Sequence, residues 1–192
     1  MIKFVNDKQH NTATLSLYVV MGVSGSGKSV IGEKLAQYLC NKMEVEFIDA
    51  DDFHSPQAKQ RMAANLPLDD AMRKPWVNAV RDKLVKLQSE NKNVVLAFSG
   101  LKRKHRNCLR SLQFDTHFYY LQADINIIRS RMLNRKNHFF KPELLTSQFL
   151  AMEEVNNDEE HTTKIDVSGS LSETYQKVIV HVQQTLKGIG YE

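Results

Sequence analysis

Short apolar runs alternate along the chain with longer stretches in which apolar residues recur every three or four positions. The runs at 15–21, 45–49, 93–98, 117–122 and 163–167 read as strands. Most are continuous rather than alternating, the pattern of strands covered by helices on both faces. Between them, residues 29–40 carry Ile31, Leu35 and Leu39 on one stripe. The stretch 75–90 opens with Pro75 at a favoured first position and aligns Val77, Val80, Leu84 and Leu87. Asp124 can cap a helix bearing Ile125, Ile128 and Met132. Ser170 and Glu173 have the spacing of a capping box for a last helix that turns Tyr175, Val178, Val182 and Leu186 inward. Strands interleaved with helices predict one doubly wound α/β domain over 15–192, preceded by a polar extension at 1–14.

Composition narrows the function classes. The chain has 192 residues, 42% hydrophobic and 25% charged, enough for one sizeable core. A net charge of +4 suits a protein that handles anions but does not by itself argue for nucleic acid. Cys40 and Cys108 are far apart and fall in predicted helices, so they read as reduced thiols. The seven histidines are scattered and show no metal-ligand spacing. No apolar run reaches the ~20 residues that span a bilayer, and the N-terminus lacks a signal-peptide stretch. The expected location is the cytoplasm, with no membrane partner.

The decisive segment is Gly22-Val23-Ser24-Gly25-Ser26-Gly27-Lys28-Ser29, which fits G-x-x-x-x-G-K-[ST] at every fixed position. It lies between a strand and an amphipathic helix, as a phosphate loop must. Gly22, Gly25 and Gly27 let the backbone turn tightly, so that successive N–H groups, including those of Ser24 and Ser26, face an anion at a helix N-terminus. Lys28 is expected to reach the outer phosphates and Ser29 to bind Mg²⁺ through its hydroxyl. A bare glycine-rich turn would not need Lys and Ser at these two positions.

The second strand ends in Asp49-Ala50-Asp51-Asp52-Phe53-His54. Ligands of open α/β sheets bind beyond the carboxyl ends of the strands, which puts these acids beside the phosphate loop. Asp49 is a candidate for the Mg²⁺ shell, and Asp51 for the base that takes a proton from an attacking hydroxyl. Alternatively, the acids cap a helix that starts near Ser55 and Pro56.

Together with 68–76 (LDDAMRKPW), 99–106 (SGLKRKHR) and 135–140 (RKNHFF), these residues resemble the small gluconokinases of the shikimate-kinase and adenylate-kinase superfamily. The resemblance covers roughly residues 15 to 185. It implies a P-loop NTPase-type three-layer sandwich with a five-stranded parallel sheet of order 2-3-1-4-5. It also implies ATP and Mg²⁺ as cofactors, gluconate as the small-molecule substrate, a helical lid around 131–142, and a homodimer. His54, Arg73, Lys102, Arg106 and His138 match substrate-side positions. Arg135 matches a catalytic lid cation, and Arg131 and Asp166 match nucleotide-side positions. Gly100 and His105 depart from residues common in the family.

The alternatives are sibling kinases for shikimate, adenylylsulfate or a nucleoside monophosphate. A nucleic-acid-binding P-loop protein finds support only in the basic run 102–110, which has no interleaved aromatics. A nucleotide sensor without catalysis would have no need of a base at Asp51.

Overall fold

Strand β1 (Ser16–Met21) is buried along its whole length, and its position in the sheet explains why. The computed structural model describes residues 14–133, 142–156 and 158–188. Among these, β1 pairs in parallel with β3 (Asn93–Phe98) on one side and β4 (Asp115–Gln122) on the other. Strand β2 (Val45–Asp49) adds beyond β3 and β5 (Thr162–Asp166) beyond β4, giving five parallel strands in the order β2-β3-β1-β4-β5.

The helices form the two outer layers. Leu17, Val19 and Met21 face α3 (Asp70–Ser89) and α4 (Arg103–Arg110), where they pack with Trp76, Val80, Leu84 and Leu109. Tyr18 and Val20 point the other way, into a cluster with Ile31, Leu35 and Leu39 of α1 (Lys28–Leu39) and Val178 and Val182 of α7 (Leu171–Gly188). The period-2 alternation of a strand thus feeds two cores from one buried sequence. Helices α2 (Pro56–Ala63), α5 (Ile125–Leu133) and α6 (Pro142–Ala151) complete the described elements. No described helix is long and apolar enough to cross a membrane.

Two element starts differ from expectation by two residues or more. Helix α3 begins at Asp70, not at Pro75, because the Asp69 side chain caps it by accepting the Met72 N–H at 2.8 Å. Pro75 therefore sits inside the helix, where it lacks the N–H that would reach the carbonyl of residue 71. Strand β4 starts two residues before the expected 117, as Asp115 N–H already bonds to the Leu15 carbonyl at 2.8 Å. The capping box at the start of α7 is present in both directions: Ser170 Oγ accepts from Glu173 N–H at 3.2 Å, and Glu173 accepts from Ser170 N–H at 2.6 Å.

Candidate active site

The loops leaving the carboxyl ends of β1, β2 and β3 meet at one edge of the sheet. The first carries the glycine-rich motif. Gly22 has φ 154°, and a Cβ there would lie 2.8 Å from both the Leu121 carbonyl oxygen and Ser26 Oγ. Gly25 has φ 84°, and a Cβ would meet Met132 Cγ at 2.7 Å. Only glycine fits this tight path without strain. The following helix α1 starts with no side-chain cap and no acid in its first turn. Its positive end is thus free to receive an anion. Ser26 Oγ is buried and has no hydrogen-bond partner among the described residues. An orphan hydroxyl and an uncapped helix start together fit a phosphate group.

The Lys28 side chain is 8% exposed, and its Nζ lies 3.5 Å from Asp51 Oδ2. Asp51 belongs to a 3-10 turn over Ala50–Phe53. Asp49 caps that turn by accepting the Asp51 N–H at 2.9 Å, so Asp49 helps to aim Asp51. The cap of α2 is Ser55, which accepts from Ala58 N–H at 3.1 Å, so neither Asp51 nor Asp52 is spent on that helix.

A column of rings supports the turn from below. His54 stacks on Trp76 at 4.5 Å, and Trp76 stacks on Phe98 at 5.1 Å. The Trp76 Nε1–H donates to the Ala50 carbonyl at 2.6 Å, tying α3 to the acidic loop. His54 Nε2 stands 3.9 Å from Asp51 Oδ1, and its Nδ1 is buried without a partner among the described residues. Burial lowers the His54 pKa, as do the nearby cations Lys59, Lys28 and Arg73, against the opposing pull of Asp51. The ring is therefore neutral near pH 7.

These groups line a cavity of about 630 Å³, a size that holds a small ligand. Ser24, Lys28, Asp51, His54, Arg73 and Trp76 are on its wall, together with Ser147 and Gln148 of α6. Arg73 is its guanidinium, held by Asp70 at 3.4 Å. Gln148 is a residue that sequence reasoning missed: its Oε1 accepts the Ser24 N–H at 2.7 Å and joins α6 to the phosphate loop. Nothing in the helical pattern of α6 distinguishes this glutamine from a solvent-facing one.

Other expected residues fall elsewhere. The family resemblance implies Lys102 and Arg106 at the substrate, and the structure brings neither to the cavity wall. Lys102 is the residue before α4 and pairs with Glu153 Oε1 at 3.3 Å. Arg106 is fully buried and donates from Nε and Nη2 to Glu159 at 2.7 and 2.5 Å and from Nη1 to the Gly100 carbonyl at 2.8 Å. Its donors are consumed in holding α4 to the segment before β5. The available signal was charge complementarity between the basic run 102–110 and the acids at 153–160. Arg131 donates to the carbonyls of Val167 and Gly169, which ties α5 to the loop after β5. Asp166 in that loop accepts from Ser168 Oγ at 2.7 Å and from Lys177. Ser29 is half-buried in the first turn of α1. Arg135, His138 and most of the expected lid lie outside the described residues.

Comparison with known proteins agrees with this arrangement. The family model described as AAA domain matches residues 17–157. The thermoresistant gluconokinase of Escherichia coli strain K12 is 37% identical over 155 residues, covering 81% of this chain and 86% of that protein. A probable gluconokinase of Dictyostelium discoideum is 36% identical over 193 residues, covering 95% and 94%. The crystal structure of a gluconokinase from Sinorhizobium meliloti 1021 superposes with a TM-score of 0.78 at 31% identity, covering 92% and 96% of the two chains. With the phosphate loop, the acidic turn and the stacked His54 and Trp76 rings all on one cavity wall, and with likeness extending over nearly the whole chain, this protein belongs to the gluconokinase family.

Proposed function

We propose that the protein transfers the γ-phosphate of ATP to the terminal hydroxyl of D-gluconate, forming 6-phospho-D-gluconate and ADP. The observation that carries this reading is the facing pair Lys28 and Asp51, 3.5 Å apart on the wall of a cavity that also holds Arg73 and His54. The Ser24 N–H, expected to face the anion, is held by Gln148, and the Ser26 N–H by the Val23 carbonyl at 3.2 Å, so the remaining loop amides, Ser26 Oγ and Lys28 seat the phosphates. Asp51 orients the acceptor hydroxyl and takes its proton as the new P–O bond forms and the bond to the β-phosphate oxygen breaks. Arg73 offers a fixed cation for the substrate carboxylate. Neutral His54 and the Trp76 ring form the floor against which a polyhydroxy chain can lie. Ser29 and Asp49 are the residues that would hold Mg²⁺, which would neutralise charge on the transferring phosphoryl group. By resemblance to the family, Arg131 and Asp166 serve the nucleotide, and Arg135 and His138, outside the described residues, serve the phosphoryl group and the substrate. The setting is the cytoplasm, where Mg·ATP is supplied.

A panel of acceptors with Mg·ATP and an ADP-release readout tests the reading. Gluconate should turn over fastest, ahead of shikimate, adenylylsulfate and nucleoside monophosphates. Turnover of one of those three without gluconate turnover would overturn the substrate and leave the phosphoryl-transfer chemistry in place.

A further inference from the structure

At the other end of β4 from the phosphate loop, three side chains with metal-binding atoms converge. Asp115 and His117 stand one pleat apart on β4, so both point to the same side of the sheet. His161 immediately precedes β5, and its carbonyl accepts the Phe118 N–H at 2.8 Å. That bond anchors His161 beside β4, with its backbone in the left-handed region at φ 53°. The two imidazole rings are tilted against each other at 4.9 Å. One ligand atom from each of Asp115, His117 and His161 falls within 4.8 Å of the other two.

The separations fit a single ion. His117 Nε2 is 2.9 Å from Asp115 Oδ2, and His161 Nδ1 is 3.6 Å from Asp115 Oδ1. Ligand atoms about 2.0–2.1 Å from a tetrahedral ion lie roughly 3.3–3.4 Å from each other, so each nitrogen stands within about 0.5 Å of that spacing from the carboxylate oxygen it faces. The His117–Asp115 contact is also not a satisfied hydrogen bond. His117 Nε2 is buried and has no hydrogen-bond partner among the described residues, although the carboxylate oxygen is so close. A nitrogen lone pair and a carboxylate oxygen held side by side share a cation more favourably than they face each other. His161 is half-exposed, which leaves an entry path and a coordination position for water.

We propose that Asp115, His117 and His161 form a binding site for a divalent transition ion of the zinc class, separate from the phosphoryl-transfer site. Two imidazoles and one carboxylate select Zn²⁺, Co²⁺ or Ni²⁺ over Mg²⁺, which requires oxygen donors. The site is remote from the cavity. Leu121, whose carbonyl lies against Gly22, is six residues along β4 from Asp115, roughly 20 Å at strand rise. The bound ion clips β4 to the entry of β5. Among the described residues β5 is one of the two edge strands and pairs with β4 alone, so a clip there secures a strand held from one side.

The test uses the full chain, free of nucleotide, in millimolar Mg²⁺. Calorimetry with Zn²⁺ should give one ion per chain with roughly micromolar affinity, and Co²⁺ should give the strong visible absorption of tetrahedral coordination. His161→Asn and His117→Gln should each weaken binding by about tenfold or more. Zn²⁺ should raise the melting temperature of the wild type and not of these variants. Asn tolerates the left-handed backbone, and His161 is half-exposed, so His161→Asn decides the matter even if His117→Gln folds poorly. Kinase turnover of His161→Asn should match wild type. Unchanged Zn²⁺ affinity in His161→Asn, or binding that needs more than about 1 mM ion, overturns the proposal.

Discussion

Gln148 of α6 accepts the backbone N–H of Ser24 at 2.7 Å, so a residue 124 positions away holds the phosphate loop by one of its own amides. Both residues are on the cavity wall, beside Lys28. A neutral acceptor there leaves the charge of the cleft to the phosphates. Replacing it with a carboxylate would strengthen the hold on Ser24, since charge-assisted hydrogen bonds are about twice as strong as neutral ones. It would also set a fixed anion against the incoming phosphates. Gln148→Glu should therefore lower kcat/KM for ATP by about tenfold, about 1.4 kcal/mol, with most of the loss in KM. Steady-state kinetics at two ionic strengths check this, because the penalty should shrink as salt rises.

The Arg106–Glu159 pair predicts a stability effect. Both side chains are essentially buried, and Arg110 also reaches Glu159 at 3.0 Å. Burial opposes ionisation of Glu159, but the hydrogen bonds and charges of the two arginines outweigh it and hold the carboxyl below its usual range. Removing one member of a buried pair leaves an uncompensated charge, at a cost of about 3–5 kcal/mol. Glu159→Gln should lose that much in urea denaturation. The double variant Arg106→Met/Glu159→Leu should recover most of it. A loss under about 1 kcal/mol in the single variant would mean the pair is solvated in solution.

Most of the fold was legible because strand cores in a buried parallel sheet are continuous apolar runs. Strands β2 and β3 have the bounds that the run pattern marks. The start of α3 was missed because Pro75 is a strong local marker, while the Asp69 cap further upstream carries no apolar signal. In the site, the phosphate loop and the Asp49–His54 turn were readable because their chemistry is local in sequence. Arg106 was misplaced for the opposite reason. Its partner Glu159 is 53 residues away, and only the folded chain shows that the guanidinium is already satisfied. The same holds for His117 and His161, scattered in sequence and adjacent once β5 pairs with β4.

His105 gives the protein a pH dependence. The side chain is buried in α4, and burial, helped by Lys104 and Arg73, lowers its pKa to about 4 against the weaker pull of Asp70 and Glu153. In the unfolded chain the ring titrates near 6.5, so below that pH the unfolded state binds a proton that the folded state refuses. This contribution is fully present above pH 6.5 and is lost progressively as pH falls toward about 4. Melting temperatures of wild type and His105→Leu across that window should diverge, with the variant showing the shallower decline. Parallel curves would show that His105 titrates normally in the folded protein.

The last prediction concerns the pair at the centre of the cavity. Lys28 Nζ and Asp51 Oδ2 are 3.5 Å apart, and Lys28 is almost wholly enclosed while Asp51 opens to the cavity. A lysine so placed acts on phosphate charge in ground and transition states alike, so Lys28→Ala should abolish measurable turnover and weaken ATP binding as well. In the proposed reaction Asp51 acts on the acceptor hydroxyl, and its amide analogue keeps the shape but cannot take a proton. Asp51→Asn should therefore reduce kcat by about 10²–10⁴-fold, the range for loss of a general base, while KM for ATP changes by less than about threefold. The split between the two constants separates a base from a merely structural partner of Lys28. If Asp51 served only to hold Lys28 in place, Asp51→Asn would shift the ATP KM along with kcat, and the role of base would pass to another group on the cavity wall.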